Sequence, residues 1–138
     1  MKQKINNSGF TLIELLFTIV VISLSMIGIM ALFENAARGS LQADLNYIAS
    51  KLAHEKLELI VIDKVRNGYA ALNQTSYPNE TFTGSFASYS RSTAITEVSG
   101  SDMVTVTPNS GYKRVQVTVS WGAGASKRIT IPTILANY

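Results

Sequence analysis

From Thr11 to Phe33 the chain is almost continuously apolar, and Glu14 is the only charge in that run. At ~1.5 Å per helical residue the run is roughly 33 Å long, enough to cross the hydrocarbon core of a bilayer. An ordinary secretory signal has a shorter apolar region followed by a small-residue cleavage site, and the nearest candidate here, Asn35-Ala36-Ala37, fits that pattern poorly. Beyond Phe33 the pattern becomes helical and amphipathic. No proline occurs before Pro78, and Asn35 to about Ala71 is rich in Ala, Leu, Glu and Lys, so one helix is expected to continue through both segments. Leu41, Leu45, Ile48, Leu52 and Leu59 form a stripe at helical spacing, flanked by Ala49, Ala53 and Ile60, which predicts the face that packs on a globular head. A free-standing coiled coil is the competing reading, but the pattern lasts too few heptads and places Glu55 in the seam. Gly68, just after Lys64 and Arg66, supplies the helix stop.

After Gly68 the chain turns to Ser, Thr, Gly, Asn and aromatic residues, and Asn73 to Phe86 has loop character around Pro78-Asn79 and Gly84. Val115, Val117, Val119 and Trp121 alternate with Arg114, Gln116, Thr118 and Ser120, the two-residue period of a half-buried strand. Gly122-Ala123-Gly124-Ala125 separates it from Lys127 to Thr133, where Ile129 and Ile131 point one way, so a hairpin is expected. Met103 to Thr107 reads as a further strand and Ser88 to Val98 as a weaker one. The expected architecture is α+β: a long N-terminal α-helix packed on a small antiparallel sheet of three or four strands. Pro132 belongs on an edge or near a strand end, because it cannot donate a ladder hydrogen bond.

The 138 residues, 46% of them hydrophobic, allow one modest domain plus a long helix and exclude two large cores. The net charge of +3 includes Lys2 and Lys4, and without them 10 basic residues face 9 acidic ones, so no nucleic-acid partner is expected. No cysteine is present, which removes disulfides and thiol chemistry. Basic residues stay cytoplasmic, and Lys2 and Lys4 precede the apolar run while Glu34 to Gly39 carries one acid and Arg38, so the head faces outward.

Other chemistry is thin. His54-Glu55-x-x-Glu58 resembles half of a zinc-protease motif, but His54 is the only histidine and reads with Glu58 as a solvated face. The late glycines lack the setting of a nucleotide loop. Glu97 and Asp102 are too few for a calcium cage without several carbonyls. Asn73-Gln74-Thr75 and Asn79-Glu80-Thr81 match the glycosylation acceptor pattern and read as loop residues. No nucleophile, base and orienting group can be named together, so no enzyme, cofactor or metal is expected.

Gly9-Phe10-Thr11-Leu12-Ile13-Glu14-Leu15-Leu16 resembles the cleavage and methylation signature of type IV prepilins and type II secretion pseudoprepilins. The resemblance implies a leader over residues 1–9, cut after Gly9 by a membrane aspartyl prepilin peptidase, and N-methylation of the new Phe10 amine. It also implies that Glu14 pairs with the Phe10 ammonium of a neighbouring subunit during assembly. On the residues alone, Gly9 is equally a helix-start residue behind an N-cap at Ser8, and Glu14 can reach the interface by snorkelling. Ser23, Ser25 and Gly28 interrupt the large side chains and allow close helix contacts.

The resemblance divides the chain into leader 1–9, transmembrane and filament-core helix 10–34, amphipathic continuation 35–71 and sheet head 72–138. Major pilins often have a proline near the position of Ala31 and a C-terminal disulfide; this chain has neither, which points to a minor pilin or minor pseudopilin. The implied partners are prepilin peptidase, other pilin or pseudopilin subunits, the inner membrane, an assembly platform and a separate ATPase. The implied location is the bacterial inner membrane as a single-pass protein with a periplasmic head, and then the pilus or pseudopilus. A single-span anchored binding protein that never polymerises is the alternative.

Overall fold

The computed structural model describes residues 9–138. They fall into two compact units, the first ending at Gln42 and the second spanning Ala43–Tyr138. One helix, α1, runs from Leu12 to Asn67 and contributes to both. It closes four residues before the expected Ala71, because Gly68 takes φ 80° and a short 3₁₀ turn over Tyr69–Ala71 follows. An L side chain is strained at that φ, whereas glycine adopts it freely.

In the second unit, four strands form one antiparallel sheet in the order β1 (Glu80–Thr81), β2 (Tyr89–Glu97), β3 (Tyr112–Trp121) and β4 (Lys127–Ala136). The β3 to β4 hairpin turns at Gly122 and Gly124, and Pro132 lies in β4, an edge strand where no second neighbour needs its missing N–H. Two sequence expectations fail. Met103 to Thr107 is not a strand: it belongs to the long connection between β2 and β3, held by a single bridge between Val98 and Val106. Its apolar residues do not make a strand face, since Val104 and Val106 are exposed. Conversely, β1 falls inside the segment read as loop, a two-residue strand too short to show a period.

Alternation sets the sheet's inner face. Val115, Val117 and Val119 are fully buried, with Trp121 and Tyr89 at one end and Leu135 at the other. The last part of α1 covers them with Ala49, Leu52, Ala53, Leu57 and Ile60. That buried face is turned by about 90°, roughly one residue, from the leucine stripe read in the sequence. Leu41 and Leu59 are 62% and 46% exposed, Leu45 and Ile48 form the margin of the contact, and of the stripe only Leu52 is in the core. Size explains the rotation: Ala49 and Ala53 let the helix backbone come close to the valine face, which larger side chains would hold off.

Cations are also drawn into this layer. Glu80 of β1 takes Lys56 Nζ at 2.5 Å and Arg91 Nε at 2.6 Å, and Arg91 Nη1 also donates to the Leu52 carbonyl at 2.6 Å. Lys56 and Arg91 lie over the rings of Tyr77 and Phe82. One carboxylate thus joins α1, β1 and β2 and compensates two buried charges. Burial pushes the Glu80 carboxyl up, but the hydrogen bonds and charges of Lys56 and Arg91 outweigh this and hold it below its ordinary value. Lys113 is buried with no acid paired to it among the described residues: its Nζ donates to the carbonyls of Tyr69 at 3.0 Å and Leu72 at 2.7 Å, tying β3 to the turn that follows α1.

Two predictions follow from this packing. Ile60→Ala should cost ~3 kcal/mol in urea unfolding of the detergent-solubilised chain, and Leu59→Ala less than about 1 kcal/mol; the reverse order would contradict the rotated face. Glu80→Gln should cost about 2 kcal/mol near neutral pH, less than a fully buried pair because Glu80 keeps some contact with water. Since the folded carboxyl titrates below its unfolded value, its stabilisation is complete above about pH 4.5 and is lost as pH falls through the lower folded value. Unfolding midpoints followed from about pH 6 to about pH 3 should fall less steeply for Glu80→Gln than for the parent chain.

Candidate functional site

The candidate site is the start of the first unit. Gly9 and Phe10 precede α1 and are exposed, Phe10 at 84%. Among the described residues, no atom beyond its chain neighbours lies within 4 Å of where a Gly9 side chain would begin. The rest of the expected leader, Met1 to Ser8, lies outside the described residues, and with it the suggested Ser8 cap. Gly9 is not the helix start, since α1 begins at Leu12. Thr11 is the residue before the first helical position, and its Oγ1 accepts the Glu14 N–H at 3.3 Å.

Thr11-x-x-Glu14 is therefore the spacing of a capping box, a role for Thr11 that the sequence reading missed although the Thr-x-x-Glu pattern displays it. The cap fixes the first turn and so fixes where Glu14 stands relative to Phe10. Glu14 also suits the positive end of the helix dipole. Its carboxylate is exposed and has no ion-pair partner among the described residues, on a surface made mostly of Leu, Ile, Val, Phe and Met.

The polar side chains deeper in the run are satisfied by the helix itself. Thr18 Oγ1 donates to the Glu14 carbonyl at 2.7 Å, Ser23 Oγ to that of Ile19 at 2.7 Å and Ser25 Oγ to that of Val21 at 2.8 Å. Hydroxyls bonded this way carry little penalty into hydrocarbon. The apolar run closes at an exposed ion pair between Glu34 and Arg38, 2.5 Å apart on successive turns. The helix is long and apolar enough to cross a membrane, and none of that stretch is buried within the chain.

The other residues singled out in the sequence are not brought together. His54 and Glu58 are exposed on α1. Glu97 accepts the Asn109 N–H at 2.7 Å, while Asp102 binds the N–H groups of Val104 and Thr105 and the Thr105 hydroxyl. Those contacts, the Thr105 hydroxyl first, pull the Asp102 carboxyl down to about 2. Asn73 Oδ1 accepts from Ser76 N at 3.0 Å and caps the 3₁₀ turn Gln74–Ser76. Glu97, Asp102 and Asn73 are each accounted for by local loop structure.

Comparison with known proteins yields a single kind of match. The family described as the prokaryotic N-terminal methylation motif matches residues 4–30, covering Gly9, Phe10, Glu14 and the first part of α1. No curated protein and no solved structure matches the chain. The family is structural, its motif marks chains processed by prepilin peptidase, and with the apolar helix it indicates membrane anchoring. With that motif at its N-terminus, and one long helix packed on a four-stranded antiparallel sheet behind it, the chain fits a type IV pilin-like protein.

Proposed function

We propose that this protein is a minor structural subunit of a type IV pilus or a type II secretion pseudopilus, active in the initiating or tip complex and not as an enzyme. Prepilin peptidase cuts after Gly9, the Phe10 amine is methylated, and the chain waits in the inner membrane with its head in the periplasm. An assembly platform driven by a separate ATPase then moves it into the filament. The helix of residues 10–34 serves first as anchor and then as filament core. Both settings bury apolar side chains, so lipid contacts exchange for helix contacts at modest cost.

The observation that carries this reading is Glu14. A carboxylate in a membrane segment costs ~2.5 kcal/mol or more toward the bilayer centre and is kept for a purpose. Here it has no partner among the described residues, and Phe10, the proposed new terminus, lies just before the helix whose first turn carries it. In a stack of such helices the ammonium of one subunit and the carboxylate of the next neutralise each other. The pair then sets axial register, because a slipped stack leaves both charges buried and unpaired. The absence of proline at Ala31 and of any cysteine supports the minor role.

Intact mass and N-terminal sequencing of the membrane-extracted chain should show residues 10–138 with one methyl group on Phe10; a retained leader would instead favour a permanently anchored binding protein. Glu14→Ala and Glu14→Gln should both be trimmed and expressed normally yet enter sheared fibres or pseudopili at least about tenfold less often, consistent with an unpaired buried ammonium. Equal recovery of Glu14→Gln would remove the charge pair from the mechanism. Recovery of the parent chain with long surface fibres would select the pilus, and retention in the envelope the pseudopilus.

A further inference from the structure

The outer face of the sheet is mostly hydroxyl-bearing, with Thr118 and Thr130 hydrogen-bonded across β3 and β4 at 2.8 Å. Toward the connection between β2 and β3 this surface opens into a cleft of 460 Å³ lined by Met103, Val104, Arg114, Gln116, Pro132 and Ile134. Arg114 and Gln116 are alternate residues of β3 and so share a face, opposite Ile134 and Pro132 of β4 in the register.

Arg114 differs from the other cations packed into the head. Arg91 and Lys56 share Glu80, and Lys113 holds two carbonyls. Arg114 Nε is shielded from solvent and has no hydrogen-bond partner, and no acid lies within ion-pair reach of the guanidinium among the described residues. Asp102, the residue before the cleft-lining Met103, spends its carboxylate on its own loop. That loop holds Met103 at φ 58°, a strained value for a side-chain-bearing residue, and braces it by the Met103 N–H to the Ser99 carbonyl at 2.9 Å. The wall facing Arg114 is thus built before anything binds.

A planar guanidinium whose Nε is shielded from water, on a half-buried side chain short of an acid, matches a carboxylate, which it can grip through two parallel N–H bonds. Val104 in the lining is 60% exposed, and with Met103 and Ile134 it gives the carboxylate's carrier apolar neighbours. Pro132 withholds an N–H along the β4 edge, which favours entry of a side chain over addition of a strand. We propose that this cleft is a docking site for an acidic side chain of a partner polypeptide. Arg114 and the Gln116 amide take the carboxylate, and Met103, Val104 and Ile134 take the adjoining apolar residue. The proposal concerns the head alone and does not rest on the filament reading.

The test is an NMR titration of the full chain in detergent micelles with blocked Leu-Glu-Leu and Leu-Gln-Leu peptides. Saturable shifts at Arg114, Gln116 and residues 103–105, with the glutamate peptide about tenfold tighter, are expected. Arg114→Gln should abolish that preference and Arg114→Lys should retain part of it, both with the other head resonances unmoved. Equal binding of the two peptides, or no saturable shift, would overturn the proposal. Acetate binding as tightly as the glutamate peptide would also overturn it, by assigning the cleft to small carboxylates.

Discussion

Everything in this molecule depends on one uninterrupted backbone ladder from Leu12 to Asn67. A segment in hydrocarbon must satisfy its own N–H and C=O groups, and a helix does so without help from neighbours. The sequence avoids what would break that ladder: there is no proline before Pro78, and the hydroxyls of Thr18, Ser23 and Ser25 are turned onto carbonyls one turn back. The first glycine in a left-handed conformation is Gly68, at the point where the helix ends. Along this single element the solvent changes. The early part presents large apolar side chains in all directions, and the late part narrows to a face of Ala49, Ala53 and Ile60 against the sheet.

The head combines a valine core with a polar framework. Valines on β3 supply non-directional burial, which alone would tolerate the helix at several rotations and heights. Glu80 removes that freedom, because only one placement lets it reach Lys56 on α1 and Arg91 on β2 together. Lys113 fixes the far end in the same manner through the Tyr69 and Leu72 carbonyls. In a chain without cysteine these charge-assisted contacts tie elements distant in sequence, a task that cross-links perform elsewhere.

How far the sequence could be read depended on whether a local pattern or a distant partner decides the outcome. The alternation from Val115 to Trp121, the glycine turn, the edge position of Pro132 and the stop at Gly68 are local, and each stands in the structure as expected. The helix's packing face was misjudged by about one residue, because hydrophobicity weights leucine above alanine whereas close approach to a sheet favours the smaller side chain. β1 could not be found from pattern, since Glu80 gains its place only through Lys56 and Arg91, 24 and 11 positions away. Met103 to Thr107 misled in the other direction: its β-branched residues suit a strand, but Asp102 binds the following N–H groups and folds the segment into a turn. At the N-terminus the motif was plain, and Thr11's capping role was legible from the same residues.

The acids of the chain differ in what surrounds them, and Glu14 stands apart. Glu34 and Glu80 are ion-paired, Glu55 lies 3.8 Å from Arg91, Asp63 accepts the Tyr77 hydroxyl, and Glu97 and Asp102 hold loop N–H groups. Asp44, Glu58 and Glu14 have no such contact among the described residues. For Asp44 and Glu58 this costs nothing, because they are exposed on the part of α1 in the head unit, where water solvates them. Glu14 has the same exposure but stands in the apolar run, where lipid or packed helices replace water as the surrounding medium. An exposed carboxylate is stable in water and unstable there, so the same geometry that is neutral in the isolated chain becomes a demand for a cation once the helix is immersed. In the proposed assembly that cation is the amine of Phe10 on a neighbouring helix, which keeps its positive charge when methylated.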